Sequence, residues 1–137
     1  MKTISVYFIV AAGVVAAQDD FSSYLIWMAD SFISRGVQPD PGYSLATLYL
    51  GFEKAYELTK HEKYLDWYRG QYEDVVLFKD GKILDWNLSY YSLDDYRLGN
   101  NFMYWYDRTG EEKYKIAIDT IREQLNRHPR TPSGGFW

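Results

Sequence analysis

The sequence predicts an all-α chain that forms an arc of a toroid of antiparallel helical hairpins, about the first two to two-and-a-half hairpins. Three observations carry this. Apolar residues recur at three- and four-residue spacing along most of the chain after its first twenty residues. Turn-forming residues punctuate those stretches, among them Gly36, Pro39, Pro41, Gly81, Gly110 and Pro129. The chain also repeats itself at a shift of fifty residues. Leu48 then meets Leu98, Phe52 meets Phe102, Tyr56 meets Tyr106, Thr59 meets Thr109, and Glu62-Lys63-Tyr64 meets Glu112-Lys113-Tyr114.

The elements follow in order. Residues 1–17 read as a secretory signal. Lys2 gives the positive start, Ile4 to Val15 an apolar run too short to span a bilayer, and Val15-Ala16-Ala17 small residues for cleavage before Gln18. That leaves one domain over residues 18–137 and places it outside the cell. Phe21 to Ser34 is a first helix with Tyr24, Leu25, Met28 and Phe32 on one side, stopped by Gly36. Leu45, Leu48, Tyr49, Phe52 and Tyr56 mark a second. A third carries Tyr64, Tyr68, Tyr72, Val75 and Val76. Asp80-Gly81 is a turn, and Lys82 to Trp86 reads as a short strand or extended stretch. A fourth helix runs from about Leu93 to Arg108 and closes at Thr109-Gly110. A fifth starts at Glu111-Glu112, buries Tyr114, Ala117, Ile118, Ile121 and Leu125, and ends before Pro129.

Composition narrows the function classes. A net charge of −4 and a pI near 5.1 give no basic footprint for nucleic acid or for an anionic membrane surface. With no Cys and two His in unrelated settings, His61 and His128, neither a disulfide framework nor a metal site is expected, and no cofactor is implied. Aromatics reach 19% of the chain, with 14 Tyr and 5 Trp. Their flat apolar faces and polar edges suit sugar surfaces and helix–helix cores alike, and the core is the commoner home of any one of them. Asn87-Leu88-Ser89 is an N-glycosylation sequon.

Two clusters have residues suited to chemistry. In Tyr90-Tyr91-Ser92-Leu93-Asp94-Asp95, Ser92 and Asp95 have capping-box spacing. Asp94 does not cap; it is either a carboxylate that complements the helix dipole or one placed at the mouth of a cavity. Arg97, one turn on, suits either an ion pair with Asp94 or a forked contact with a carboxylate ligand. Asn100 and Asn101 interrupt the apolar face of Leu98 and Phe102, as a polar cavity or a solvated face would require. The second cluster is His128-Pro129-Arg130-Thr131-Pro132-Ser133-Gly134-Gly135-Phe136-Trp137. It reads as a helix exit and a proline-stiffened loop, whose glycines permit close backbone approach and whose Trp137 suits stacking on a pyranose ring.

Tyr91 to Asp95, Gly99, Thr109 to Tyr114, Arg122-Glu123-Gln124-Leu125, and Pro129-Arg130-Thr131 with Gly134 to Trp137 together resemble glycoside hydrolase family 105, with family 88 close by. Pro41-Gly42-Tyr43 and Thr59 to Tyr64 look like that family's first hairpin. The resemblance covers nearly all of the chain after the signal. It implies a partial (α/α)6 toroid and removal of a 4,5-unsaturated uronic acid from the non-reducing end of pectin-derived oligosaccharides. In that reaction water adds across the vinyl ether double bond and the product rearranges to release the aglycone. By position, Asp94 resembles the assisting catalytic aspartate, Tyr43 lies where the family contacts the sugar, and Trp137 immediately precedes its substrate loop; with Arg97, these two make the expected substrate-binding set. The family's principal general acid/base Asp is expected beyond Trp137, so the 137 residues alone are expected to be inactive. A toroid of six hairpins needs roughly 300 residues at this period, and the Gly134-Gly135-Phe136-Trp137 end is not the polar cap a terminal repeat requires. Two other readings stay open: a secreted helical-repeat carbohydrate-binding module without catalysis, and a family 88-type unsaturated glucuronyl hydrolase.

Overall fold

A computed structural model describes residues 23–136; the predicted signal segment and Trp137 lie outside the described residues. Five helices follow one another: α1 over 23–35, α2 at Tyr43–Thr59, α3 at Glu62–Tyr72, α4 at Leu98–Thr109 and α5 at Glu112–Arg127. A single 3-10 turn, Asp95–Arg97, leads into α4. α2 pairs with α3 and α4 with α5, while α2 also packs on α4 and on the 3-10 turn.

The fifty-residue period is structural down to individual hydrogen bonds. Thr59 Oγ1 donates to the Ala55 carbonyl (2.6 Å) and accepts from the His61 amide (3.2 Å). Thr109 Oγ1 donates to the Trp105 carbonyl (2.8 Å) and accepts from the Glu111 amide (3.2 Å). The residue after each Thr is left-handed, Lys60 at φ 57 and Gly110 at φ 67, and its amide closes the helix on Tyr56 or Tyr106 at 2.8 Å in both copies. One hydroxyl therefore serves the last carbonyls of one helix and the first amides of the next, where intrahelical partners run out.

The two hairpins meet over an aromatic core. Tyr49, Phe52, Tyr64, Tyr68, Tyr72, Phe102 and Tyr114 are fully buried, with Trp105 nearly so. Tyr49 stacks on Tyr68 at 5.1 Å, Tyr68 meets Trp105 at 5.0 Å, and Tyr72 stands edge-on to Phe102 at 5.5 Å. The last two contacts join the hairpins, so the aromatic excess mainly builds core. An ion network straps the α3 and α5 ends: Glu73 takes Arg69 and Lys113, each at 2.8 Å, and Glu111 takes the same two cations.

Four expectations need correction. In α1 it is Leu25, Ala29, Phe32 and Ile33 that face the core, while Tyr24 and Met28 are exposed. α3 stops at Tyr72, short of Val75 and Val76. Asp74 turns the chain at φ 61, and the Tyr72 carbonyl gathers the amides of Val75, Val76 and Leu77 instead of one helical donor. The Lys82–Trp86 stretch pairs only through an isolated Leu77–Ile83 bridge, closed by the Asp80-Gly81 turn. Gly81 is required there, since at φ 83 any Cβ would stand 2.6 Å from the Ile116 side chain of α5. Last, the fourth helix begins later than Leu93: α-helix starts at Leu98, whose amide is shared between the Asp95 and Tyr96 carbonyls.

Candidate functional site

The entries of α2 and of the 3-10 turn open onto one cleft of about 270 Å³, lined by Asp40, Gly42, Asp85, Trp86, Tyr90 and Asp95 among others. Each wall has a local cause. Pro39 and Pro41 keep the approach to α2 extended, and Asp40 Oδ1 accepts the Gly42 amide at 2.6 Å, setting the angle at which α2 begins. The opposite wall is the loop 85–92, fixed from behind by Gln124 of α5. That amide, 3% exposed, accepts from Trp86 Nε1 (2.7 Å) and donates to the carbonyls of Asn87 (2.9 Å) and Tyr90 (2.8 Å). Three bonds from one buried side chain hold the loop without help from a strand.

The floor is Tyr96. Its hydroxyl meets Nδ1 of the buried His128 at 3.0 Å, and the rings of Tyr91, Tyr96 and Phe136 surround that imidazole edge-on. Burial, with help from Tyr91 and Asp95 nearby, raises the Tyr96 hydroxyl and keeps it a neutral phenol at ordinary pH. Beyond His128 the chain turns back through Thr131 and Gly135, with Arg130 lying 3.5 Å over the Phe136 ring. The second sequence cluster thus packs behind the first.

The four residues singled out by sequence are placed as follows. Tyr43 opens α2 and is 52% exposed. Asp94 precedes the 3-10 turn, is exposed, and makes no side-chain capping bond. Arg97 ends that turn, exposed and without an ion pair among the described residues, so the Asp94–Arg97 pair that the spacing allows is not formed. Trp137 lies outside the described residues. Gly42 and Asp95 line the same cleft, and their chain neighbours Tyr43 and Asp94 do not. The capping box is half made: Ser92 Oγ accepts the Asp95 amide at 3.4 Å. Of the two amides, Asn100 is exposed and Asn101 is fully buried.

Asn101 leads to a residue that sequence reasoning missed. Glu53 of α2 is 6% exposed and forms no ion pair among the described residues; its Oε1 accepts from Tyr68 (2.8 Å) and from Asn101 (3.1 Å). Burial pushes the carboxyl above the usual carboxylate range, against the pull of those two bonds. The signal was there: Glu53 falls four residues after Tyr49, on the face that spacing assigns to the core. Gln124 and Trp86 gave no such sign, because their bond joins positions 38 apart.

Chemically, the cleft offers aromatic faces for the C–H side of a sugar ring and carboxylate and hydroxyl oxygens for its hydroxyls. No group of three or more acidic, His or Cys side chains able to hold a metal occurs among the described residues, and none of their helices is long and apolar enough to cross a membrane.

A family model described as Glycosyl Hydrolase Family 88 matches residues 22–137. A solved structure from C. acetobutylicum ATCC 824, a glycoside hydrolase from family 105, is similar with a TM-score of 0.78 and 34% sequence identity over 83% of this chain. The chain spans about a third of the length of that protein, 32% of it. A comparison with curated proteins finds no match.

Proposed function

The chain belongs to glycosyl hydrolase family 88, and on that footing we propose that it contributes Tyr43, Asp94 and Arg97 to a site that takes a 4,5-unsaturated uronic acid from the non-reducing end of an oligosaccharide. Its fold is all-helical and matches a family 105 hydrolase over part of that protein's length. The observation that carries the reading is that Tyr43 follows Gly42, and Asp94 and Arg97 flank Asp95 and Tyr96, three residues that line one cleft.

The roles follow from the groups. Arg97 presents a planar fork to the uronate carboxylate, which the reaction leaves unchanged. Tyr43 offers a ring face to the sugar and a hydroxyl to its oxygens. Asp94 is an acceptor without a side-chain partner among the described residues, suited to hold the ring hydroxyls or to orient water at the double bond. In the reaction a proton adds to C4 and water oxygen adds to C5. The resulting hemiketal opens and releases the aglycone, so atoms balance with one water consumed and no redox change. Trp137 and the principal general acid/base belong to the same reading, the latter supplied from outside these 137 residues. Pectin-derived galacturonides are the proposed substrates and a secreted location the proposed setting. The family 88 match favours testing an unsaturated glucuronide beside them.

The test has two arms. Titrating the 137-residue chain with an unsaturated galacturonide disaccharide should shift amide resonances of Tyr43 and of residues 92–97, weakly, while the saturated disaccharide shifts them less. Alkene absorbance should stay constant, since the chain alone is expected not to turn the substrate over. In an enzyme carrying this segment within a whole toroid, Asp94→Asn should lower kcat by about two to four orders of magnitude. Shifts confined to another face, or undiminished turnover of Asp94→Asn, would remove the reading.

A further inference from the structure

We propose that Asn87 is a glycan acceptor, modified when the chain passes through a compartment holding an oligosaccharyltransferase. The loop that walls the cleft carries Asn87-Leu88-Ser89, an Asn-x-Ser sequence with no proline at the middle or following position. Both Asn87 and Ser89 are exposed, and Leu88 is 57% exposed between them. Acceptor chemistry needs a reachable amide nitrogen and a reachable hydroxyl two residues on, and the folded loop leaves both in solvent.

The bonding within the loop separates what the fold uses from what it leaves over. Asn87 Oδ1 accepts the Ser89 amide at 2.9 Å, closing a side-chain-to-backbone turn. The same turn is made at Asp40 with the Gly42 amide (2.6 Å) and at Asp80 with the Lys82 amide (3.0 Å). Aspartate therefore serves this turn twice in the same chain. At Asn87 the extra group is the amide nitrogen, which makes no hydrogen bond among the described residues. The backbone behind it is held by Gln124, whose Nε2 donates to the Asn87 and Tyr90 carbonyls. A glycan on Nδ2 would thus displace no hydrogen bond among the described residues, and because Asn87 itself lines the cleft it would stand at the cleft wall.

The step balances. Asn87 Nδ2 forms a bond to the anomeric carbon of a lipid-pyrophosphate-linked oligosaccharide, the anomeric carbon–oxygen bond breaks, and the lipid pyrophosphate leaves as the amide loses one proton. The inference does not depend on the cleft's substrate.

Translation of the full 137-residue chain in the presence of microsomes tests it. Expected is a protease-protected product larger by one glycan. Peptide N-glycosidase should remove the increment and convert Asn87 to aspartate, located by peptide mass. Asn87→Gln and Ser89→Ala should abolish the increment, Ser89→Thr should keep it, and Asn87→Asp should remove it while leaving the melting temperature of the purified chain unchanged. A protected but unmodified product overturns the proposal alone. An unprotected, unmodified product overturns it together with the reading of residues 1–17 as a secretory signal.

Discussion

Glu53 shows how one side chain sets a property of the whole chain. Its carboxylate sits in an aromatic core with two neutral donors and no ion pair among the described residues, so ionisation is what burial penalises. Because its folded pKa is raised, the folded state holds the proton longer than the unfolded chain does. Stability contributed by the neutral acid is complete below the unfolded value and declines as pH rises through the folded one. Glu53→Gln keeps an acceptor for Tyr68 and Asn101 and removes the titration. The variant should therefore gain on the parent as pH rises from about 4.5, the ordinary glutamate value, towards neutrality. Glu53→Leu strands the Tyr68 hydroxyl and the Asn101 amide and should cost about 2–4 kcal/mol. Thermal melts of the three proteins across that pH range decide it; parallel curves for the parent and Glu53→Gln would show that Glu53 does not titrate there. A like reading at Glu73 carries the opposite sign. Burial works to raise that carboxyl, but bonds from Lys113 and Arg69 outweigh it and hold it low. Its stabilisation is present above the ordinary glutamate value and is lost as pH falls through the lowered one. Glu73→Gln should cost about 1 kcal/mol or less at neutral pH, since the network is partly exposed.

At the scale of elements the two hairpin turns form an internal control. Both place a residue in the left-handed region after a bonded Thr, but one uses Lys60 and the other Gly110. A Cβ on Gly110 would meet no atom within 4 Å, so Gly110→Ala isolates the backbone cost, about 1 kcal/mol. Lys60→Gly should raise stability by roughly half that, because it also gives up the Lys60 ammonium 5.4 Å over the Tyr56 ring. Denaturant melts of both variants test it, and changes of equal sign would sink the matched-turn account. These turns were legible in the sequence because Thr, a left-handed residue and Glu-Lys-Tyr are local, and a local pattern repeats visibly. The 73–97 connection was not. Its shape comes from Tyr72 collecting three amides, from Gly81 pressed on Ile116, and from Gln124 reaching 34 to 38 positions back. Such contacts leave no periodicity. The site divides the same way. Asp94 and Arg97 could be nominated from a helix start and Tyr43 from the family resemblance, whereas the cleft near them depends on α2 packing against the turn before α4.

At the scale of the molecule, repetition was readable and closure was not. A period states how each hairpin packs on the next but not what covers the two outer faces. Among the described residues both faces are open. On one side α1 presents Tyr24 and Trp27, 64% and 60% exposed. On the other, Met103 is 45% exposed in a groove of about 280 Å³ that Gly99, Ile118, Ile121 and Leu125 also line. Large apolar side chains grouped in this way gain by leaving water. The isolated 137-residue chain should consequently self-associate as its concentration rises and bind a hydrophobic dye. Trp27→Glu combined with Met103→Glu should suppress both, with stability changed by no more than about 0.5 kcal/mol per site, as expected for surface positions outside the core. Sedimentation equilibrium at several concentrations, paired with a thermal melt, separates the outcomes. If the double variant unfolds, those side chains belong to the core and the faces are not open. If the parent chain stays monomeric and dye-free at every concentration, the two hairpins satisfy each other and need no further wall.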